Sequence, residues 1–427
     1  MLAMLVTTPT RAAPSSELPE GLALVSTLRM QVEEIGACAL PGVALKYDTF
    51  MPCMWRAVAT GFVKHADAVF VADGLRYGFK AGIDVLRLAG HRWFTNYKSA
   101  LEGRDAVTRA TMKRVQSGKT LRLGLWTNTL AQGIKALFGA SAIFPLGAVG
   151  KAVQSEPGEM RPIDDHTRTG LNAASTLDGL RHSLNAYSEI AWFLQLDHFM
   201  RVSDVEAAFP LLPLHPDVWP FFMFRFFADG SSPALSLFMH ICGDFGAAGM
   251  PGTFKVFFVD VVVQMARSLH VLTLPMAIYV DDCALMGSCQ EQVDDEMLSF
   301  HAWAEAVCGV CFKVIKDRAA AKVQLALGFW WDSTTLTREL DERKLLNYLE
   351  LLAEYASRPT LTLREMQSVA GRMQRCIMTF PPGSAWMLVP LFALMARLKL
   401  PHHRRRTTRE VRSNFAYCST MLKAAMG

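Results

Sequence analysis

The sequence predicts an α+β fold, with an antiparallel sheet packed on helices and a mainly helical N-terminal extension. Three observations predict it. The chain has 427 residues, 51% hydrophobic and 19% charged, which is enough for two or three packed subdomains around a large core. Apolar residues recur at helical spacing in the first quarter of the chain, as in ADAVFVADGLRYGFKAGIDVLRLAG, and again towards the C-terminus. Between these regions lie short apolar runs bounded by turn residues, of which AIYVDDCALMG (277–287) reads most clearly as paired strands.

Taken in order, residues 1–20 read as a flexible lead-in, because TPTRAAPSSELPE concentrates Pro, Ser and Thr. The opening MLAMLVTTPTR has no basic region ahead of its short apolar run and makes a poor signal peptide. Residues 21–125 form the mainly helical N-terminal region, and 126–334 are mixed. Within the latter, ASAIFPLGAVGKAVQSEPGEMRPIDDHTRTGLNAAS reads as short strands joined by turns. Residues 335–400 are helical. In TLTLREMQSVAGRMQ, Thr362 with Glu365 makes a capping-box pattern, and Leu363, Met366, Ala370 and Met373 share one face. PPGS (381–384) breaks the chain, and 401–427 form a basic tail.

No stretch of about 18 apolar residues occurs; FKVFFVDVVVQM comes close, but Lys255 and Asp260 interrupt it, so no transmembrane helix is expected. An intracellular protein, nuclear or cytoplasmic and not secreted, is the expectation. The nine cysteines are scattered and read as buried thiols. Cys308 and Cys311 have the spacing of half a zinc site, but no second pair completes it. The net charge is +5, and the basic runs KRVQSGKTLR and KLPHHRRRTTREVR suit a polyanionic partner.

Asp281 and Asp282 stand side by side within an apolar run, where desolvating a carboxylate costs several kcal/mol unless something pairs it. They are either the solvated tip of a hairpin or ligands held towards hard divalent cations, which take oxygen donors. A further carboxylate elsewhere decides between these, and Asp204 supplies it. Asp204 ends a short apolar segment and is followed at fixed offsets by Ala208-Phe209 and Pro213-Leu214. It precedes Asp281 by 281 − 204 = 77 residues, room for a helical crossover and a return to the same sheet. Between them, GDFGAAGMPGTF carries four glycines that permit close backbone approach to a flat ligand, and Pro251 falls in the first turn of a predicted helix.

These motifs, in this order, resemble those of reverse transcriptases, the RNA-directed DNA polymerases, over roughly residues 140 to 390. RPIDDHTRTGLN resembles the fingers stretch that contacts the incoming triphosphate, SDVEAAFPLLPL the first palm motif and FGAAGMPGTF the second. YVDD (279–282) is the signature third motif, and GVCFKVIKDRAAAKVQLALGF resembles the run from the palm lysine to the primer grip. The upstream GLRYGFKAGIDVLRLAG and NYKSALEGRDAVTRATMKRVQSGKTLRLG look like the segment preceding the polymerase in retrotransposons of the DIRS and Ngaro type, which encode a tyrosine recombinase.

The resemblance implies a right-hand polymerase of fingers, palm and thumb. It implies nucleotide addition by in-line phosphoryl transfer, with two Mg²⁺ ions, or Mn²⁺, about 3.5–4 Å apart holding the attacking and leaving oxygens. Asp204 and Asp281 would ligate both metals and Asp282 would support them. Lys316 would protonate the leaving pyrophosphate. Lys151 and Arg161 would hold the phosphates. Val205, Phe209, Phe245, Gly246, Pro251 and Tyr279 would line the nucleotide pocket, with the Phe209 ring colliding with a ribose 2′-OH. Leu327, Gly328 and Phe329 would be the primer grip. The implied partners are an RNA template, a DNA primer or RNA–DNA hybrid, and a deoxynucleoside triphosphate. A larger polyprotein with ribonuclease H and recombinase regions, neither of which has a motif here, is the expected context.

Two residues depart from the family pattern. Phe245 stands where a polar residue, often Gln, precedes the first glycine of the second palm motif. Ala207 replaces a residue that is often acidic or polar in retroviral relatives. Neither touches the metal ligands. Two other functions are consistent with the motifs: a decayed or domesticated relative that binds RNA–DNA without polymerising, and an RNA-directed RNA polymerase sharing the palm. Phe209 speaks against the latter, because a ribonucleotide enzyme needs room for the 2′-OH.

Overall fold

The computed structural model describes residues 18–150, 160–180, 186–229, 232–314, 317–381 and 383–424. The strands, in chain order, are β1 (His91–Trp93), β2 (Thr120–Leu125), β3 (Ser141–Phe144), β4 (Leu146–Gly150), β5 (Met160–Asp164), β6 (Phe199–Asp204), β7 (Met223–Phe227) and β8 (Leu235–His240). They continue with β9 (Met276–Tyr279), β10 (Asp282–Gly287), β11 (Val323–Ala326), β12 (Phe329–Asp332), β13 (Thr337–Leu340), β14 (Thr360–Thr362) and β15 (Arg404–Arg406). They form a five-stranded sheet in the order β1-β3-β7-β8-β2, two three-stranded sheets, β6-β10-β9 and β11-β12-β13, and the pairs β4-β5 and β14-β15.

The sheet β6-β10-β9 is antiparallel throughout and buried on both faces. Alternation along its strands sorts the side chains. Cys283 and Leu285 pack with Val293, Met297 and Phe300 of the helix Gln290–Trp303. Met200, Ala284 and Met286 face the other way, onto Tyr187 and Ile190 of the helix Ala186–Phe193 and into the C-terminal helical core. A sheet wedged between helices on both faces leaves only strand ends open to a ligand.

The N-terminal helices fold because each carries an apolar stripe. In Glu20–Ile35 the buried residues are Leu22, Val25, Leu28 and Val32, a helical spacing. Their partners lie far along the chain: this stripe shares one continuous core with Phe254, Phe257 and Phe258 and with Phe300. The run FKVFFVDVVVQM belongs to a helical stretch that starts at Met250–Lys255, with Pro251 in its first turn, widens to a π-type turn over Val256–Val262 and ends as Val263–Ser268. The charges that interrupt it neutralise each other, Lys255 Nζ reaching Asp260 at 2.6 Å. Among the described residues no helix is long and apolar enough to cross a membrane.

At the C-terminal end, the helix Leu363–Ile377 starts with the expected box. Thr362 Oγ1 accepts from the Glu365 N–H at 3.2 Å, and the Glu365 carboxylate accepts from the Thr362 N–H at 2.7 Å. Leu363, Met366, Ala370 and Met373 are buried on one face. All nine cysteines are free.

Candidate active site

The YVDD hairpin is built by register. Asp282 pairs with Tyr279 across β9 and β10, so the tip is Val280-Asp281, one residue earlier than an Asp-Asp tip. Val280 sits in the left-handed region at φ 58°, where a β-branched residue is strained; such strain gathers at functional sites. On its other side Asp282 pairs with Asp204, the last residue of β6, and the Asp281 carbonyl accepts from the Val205 N–H at 2.9 Å. Two strand ends thus bring three carboxylates together at one edge of the buried sheet.

Asp204 is only 2% exposed, so its charge needs a counter-ion. Lys313 provides one: its Nζ ion-pairs with Asp204 Oδ1 and stands 3.9 Å from Asp281 Oδ2. Carboxylates from the end of β6 and from the β9–β10 turn therefore reach a single cation. The donors are all hard oxygens held at the edge of one sheet, and the ammonium marks room for a positive ion between them, so the residues fit a divalent cation such as Mg²⁺.

The backbone around Lys313 is held on several sides. Lys313 N–H donates to the Asp204 carbonyl and Glu206 N–H to the Cys311 carbonyl, both at 2.8 Å, with Val205 and Phe312 bridged between them. The Phe312 ring stacks on His301 at 4.0 Å. Further along, Asp317 takes a bidentate pair from Arg201 of β6, at 2.9 and 2.6 Å, while Arg201 also donates to Asp294 at 2.7 Å. Lys316, the expected palm lysine, and Lys151 lie outside the described residues.

The expected nucleotide pocket is partly assembled. Phe209 is buried, with its ring 4.7 Å from that of Phe245 and 6.0 Å from Phe254. Phe245 is more than half exposed and covers it. Pro251 opens the neighbouring helix. The glycines pack against the protein itself. A Cβ on Gly246 would fall 2.0 Å from the Asp164 carbonyl oxygen, and one on Gly252 1.5 Å from that of Leu180. Arg161 is exposed on the β4–β5 hairpin, paired with Val149. Leu327 and Gly328 form the two-residue turn between β11 and β12, both at positive φ (52° and 79°), and Phe329 begins β12. Leu327, Tyr279 and Asp282 line one shared cleft, so the expected primer grip and the YVDD hairpin are neighbours. Arg375 holds this turn by donating to the Leu327 carbonyl at 2.8 Å.

A second polar group, which motif reading alone does not single out, ties RPIDDH to GDFG. His166 Nε2 and Asp244 Oδ2 are 2.6 Å apart with both side chains fully buried. Asp244 Oδ1 also accepts from the backbone N–H groups of Gly246 and Ala247. Arg114 reaches Asp164 at 3.4 Å and His240 Nε2 at 3.1 Å. Burial alone would lower the His166 pKa, but Asp244 overrides it and raises it. Burial would raise the Asp244 pKa, and the His166 charge holds it well below the usual carboxylate range instead. Burial and the neighbouring Asp244 push Asp164 up to about 6. Burial and Arg114 keep His240 neutral, well below its ordinary value. Asp164, His240 and Asp244 each offer a ligand atom within 4.8 Å of the others and could hold a metal ion. The Arg114 and His166 cations already balance the two carboxylates, although the buried His166 Nδ1 has no hydrogen-bond partner, and the network ties β5 to the strand that precedes the GDFG loop.

No protein-family model and no curated protein matches the chain. Solved structures do. A foamy viral protease–reverse transcriptase in complex with double-stranded DNA superposes with a TM-score of 0.53 at 16% identity, covering 81% of this chain and 51% of its own. The foamy viral enzyme in complex with RNA/DNA hybrid gives 0.54 at 14%, covering 84% and 44%. The chain thus spans about half the length of these structures. It has the α+β, right-hand polymerase fold of reverse transcriptases, with an antiparallel palm sheet packed on helices.

Proposed function

We propose that this chain is an RNA-directed DNA polymerase of a retrotransposon-like element, adding deoxynucleotides to a primer 3′ end. The observation that carries the proposal is the convergence on one cation of Asp204, at the end of β6, and Asp281, in the β9–β10 turn of the same palm-like sheet. Asp204 and Asp281 would hold a pair of Mg²⁺ or Mn²⁺ ions, with Asp282 in support. When bound, such ions neutralise charge developing on the attacking and leaving oxygens. The chain's own part is positioning: strands buried on both faces fix the carboxylates, and the strained Val280 turn aims Asp281 at Asp204. Arg161 and Lys151 would take the triphosphate, Phe209 would exclude ribose, Lys316 would return a proton to pyrophosphate, and Leu327–Phe329 would hold the primer. An RNA template and RNA–DNA hybrid are the partners. The DIRS and Ngaro type, an intracellular location and a polyprotein with ribonuclease H and recombinase regions belong to the same proposal. So does the division into an N-terminal region, a fingers–palm core, a thumb and a basic tail.

The second reading is a relative that binds RNA–DNA without polymerising. Lys313, standing where a divalent ion would, is the specific observation in its favour. Primer extension on poly(rA)/oligo(dT) with Mg²⁺ or Mn²⁺ separates the two. Extension is expected, and Asp281→Asn should abolish it while hybrid binding stays near wild type, because the phosphate contacts that give affinity lie elsewhere. Binding of the hybrid with no extension in either metal would favour the second reading.

A further inference from the structure

We propose that Lys313 is a tethered competitor for the catalytic cation site. Its ammonium occupies the volume shared by Asp204 and Asp281 until a divalent ion displaces it, so this residue raises the ion concentration at which the site loads. The inference rests on the reading that these aspartates hold divalent cations.

Three features carry it. The first is occupancy: one ammonium contacts Asp204 and lies within 4 Å of Asp281, the same two carboxylates proposed as metal ligands. The second is placement. The Lys313 backbone is paired directly to Asp204 and Glu206 lies on Cys311, so the side chain starts beside the site in every molecule. The third is freedom. The Lys313 side chain is 37% exposed, against 3% for Asp204, so a flexible four-carbon stem can carry the charge out to solvent while the carboxylate stays. A carboxylate as buried as Asp204 is costly without a cation, which Lys313 supplies when no metal is bound. An ammonium and a divalent ion repel strongly at contact distance, so binding of one opposes the other.

The test measures metal binding directly. Mn²⁺ is titrated into the full chain, without nucleotide or nucleic acid, and free Mn²⁺ is read by electron paramagnetic resonance. Lys313→Met keeps the stem and removes the charge. It should tighten the Asp204-dependent site on the order of tenfold, the effect of about 1.4 kcal/mol. Lys313→Arg, which keeps a fixed positive charge, should bind no more tightly than wild type. Thermal melts give a second readout. In EDTA, Lys313→Met should melt below wild type, because an ammonium that offsets the buried Asp204 charge is lost, and Mn²⁺ should raise its melting temperature by more than it raises that of wild type. If Asp204→Asn abolishes binding but Lys313→Met binds like wild type or more weakly, the site holds metal and Lys313 does not compete for it, so the inference falls. If wild type and Lys313→Met bind no Mn²⁺ that depends on Asp204, the metal-site reading itself falls. Should Lys313→Met not fold, a Lys313→Arg affinity above that of wild type would be enough to overturn the proposal.

Discussion

Phe209→Val is the sharpest test of the proposed sugar gate. The ring is buried, sandwiched by Phe245 at 4.7 Å and Phe254 at 6.0 Å, so trimming it costs stability whatever its role. A buried Phe→Ala costs about 3–5 kcal/mol, and the Val that remains recovers part of that, leaving roughly 2–3 kcal/mol. At this chain length the loss lowers the melting temperature by about 2–3 °C. If the ring also excludes ribose by collision, its removal should raise ribonucleotide use relative to deoxynucleotide use by roughly tenfold to a hundredfold, the range over which a packed pocket discriminates by shape. The two effects separate with a matched control. Phe257 is fully buried in the same core, and Phe257→Val should show the stability loss without the change in sugar preference. The assay is single-nucleotide primer extension with both sugars at a temperature well below either transition. An unchanged ratio in Phe209→Val, with the melting loss present, would refute the gate and leave Phe209 as core; it would also reopen whether DNA is the product.

Arg201→Met leaves Asp294 and Asp317 facing each other with little solvent, their side chains 22% and 16% exposed. The expected loss is about 3 kcal/mol, at the low end of the range for breaking a buried ion pair, read by denaturant unfolding; a loss under about 1 kcal/mol would show the network is effectively solvated. Stability should also depend on pH through His166. Asp244 raises its folded pKa above the ordinary 6.5, so its contribution is complete below 6.5 and is lost as pH rises through the raised value. Asp164, raised from 3.8 to about 6, acts with the same sign in its own lower window. His240, His215 and His301 are shifted down and act below 6.5, leaving the upper window to His166. Melting temperature should therefore fall between pH 6.5 and 8.5, and His166→Gln should flatten that slope; a rise over this range in wild type would contradict the pairing.

Much of the fold was legible because local rules and tertiary demands agree. Thr362 and Glu365 cap a helix in the structure as their spacing requires, since a capping box closes within one turn and needs no distant partner. The hairpin at 277–287 follows from two apolar runs about a short break, although its tip falls at Val280-Asp281. What the sequence could not show is which distant faces meet. The stripe on Glu20–Ile35 marks a helix, but nothing in it says that its core continues into Phe257 and Phe300, more than two hundred residues away. The glycines of GDFGAAGMPG signal close approach without naming the partner. Gly246 and Gly252 lie against the carbonyls of Asp164 and Leu180, chain segments that a one-dimensional reading had no reason to place there.

The site divides the same way. Asp204, Asp281 and Asp282 stood out because isolated carboxylates in apolar runs are costly and so ask for a purpose. His166 and Asp244 gave a weaker version of that signal, each lying inside a motif already quoted, but only the fold shows that they neutralise each other in a closed pocket. Lys313 gave none. In GVCFKVIKD two lysines lie three residues apart, and composition treats them alike. For Lys313, strand pairing supplies the placement. Because Val205 bridges Phe312, the next residue along, Lys313, falls beside Asp204, and a side chain long enough to reach a carboxylate does so. A slip of one residue in that register would send the ammonium to the opposite face, towards Ser203 and His301, and leave Asp204 without it. The placement of Lys313 at the carboxylate edge is thus a property of strand register, which depends on the whole sheet.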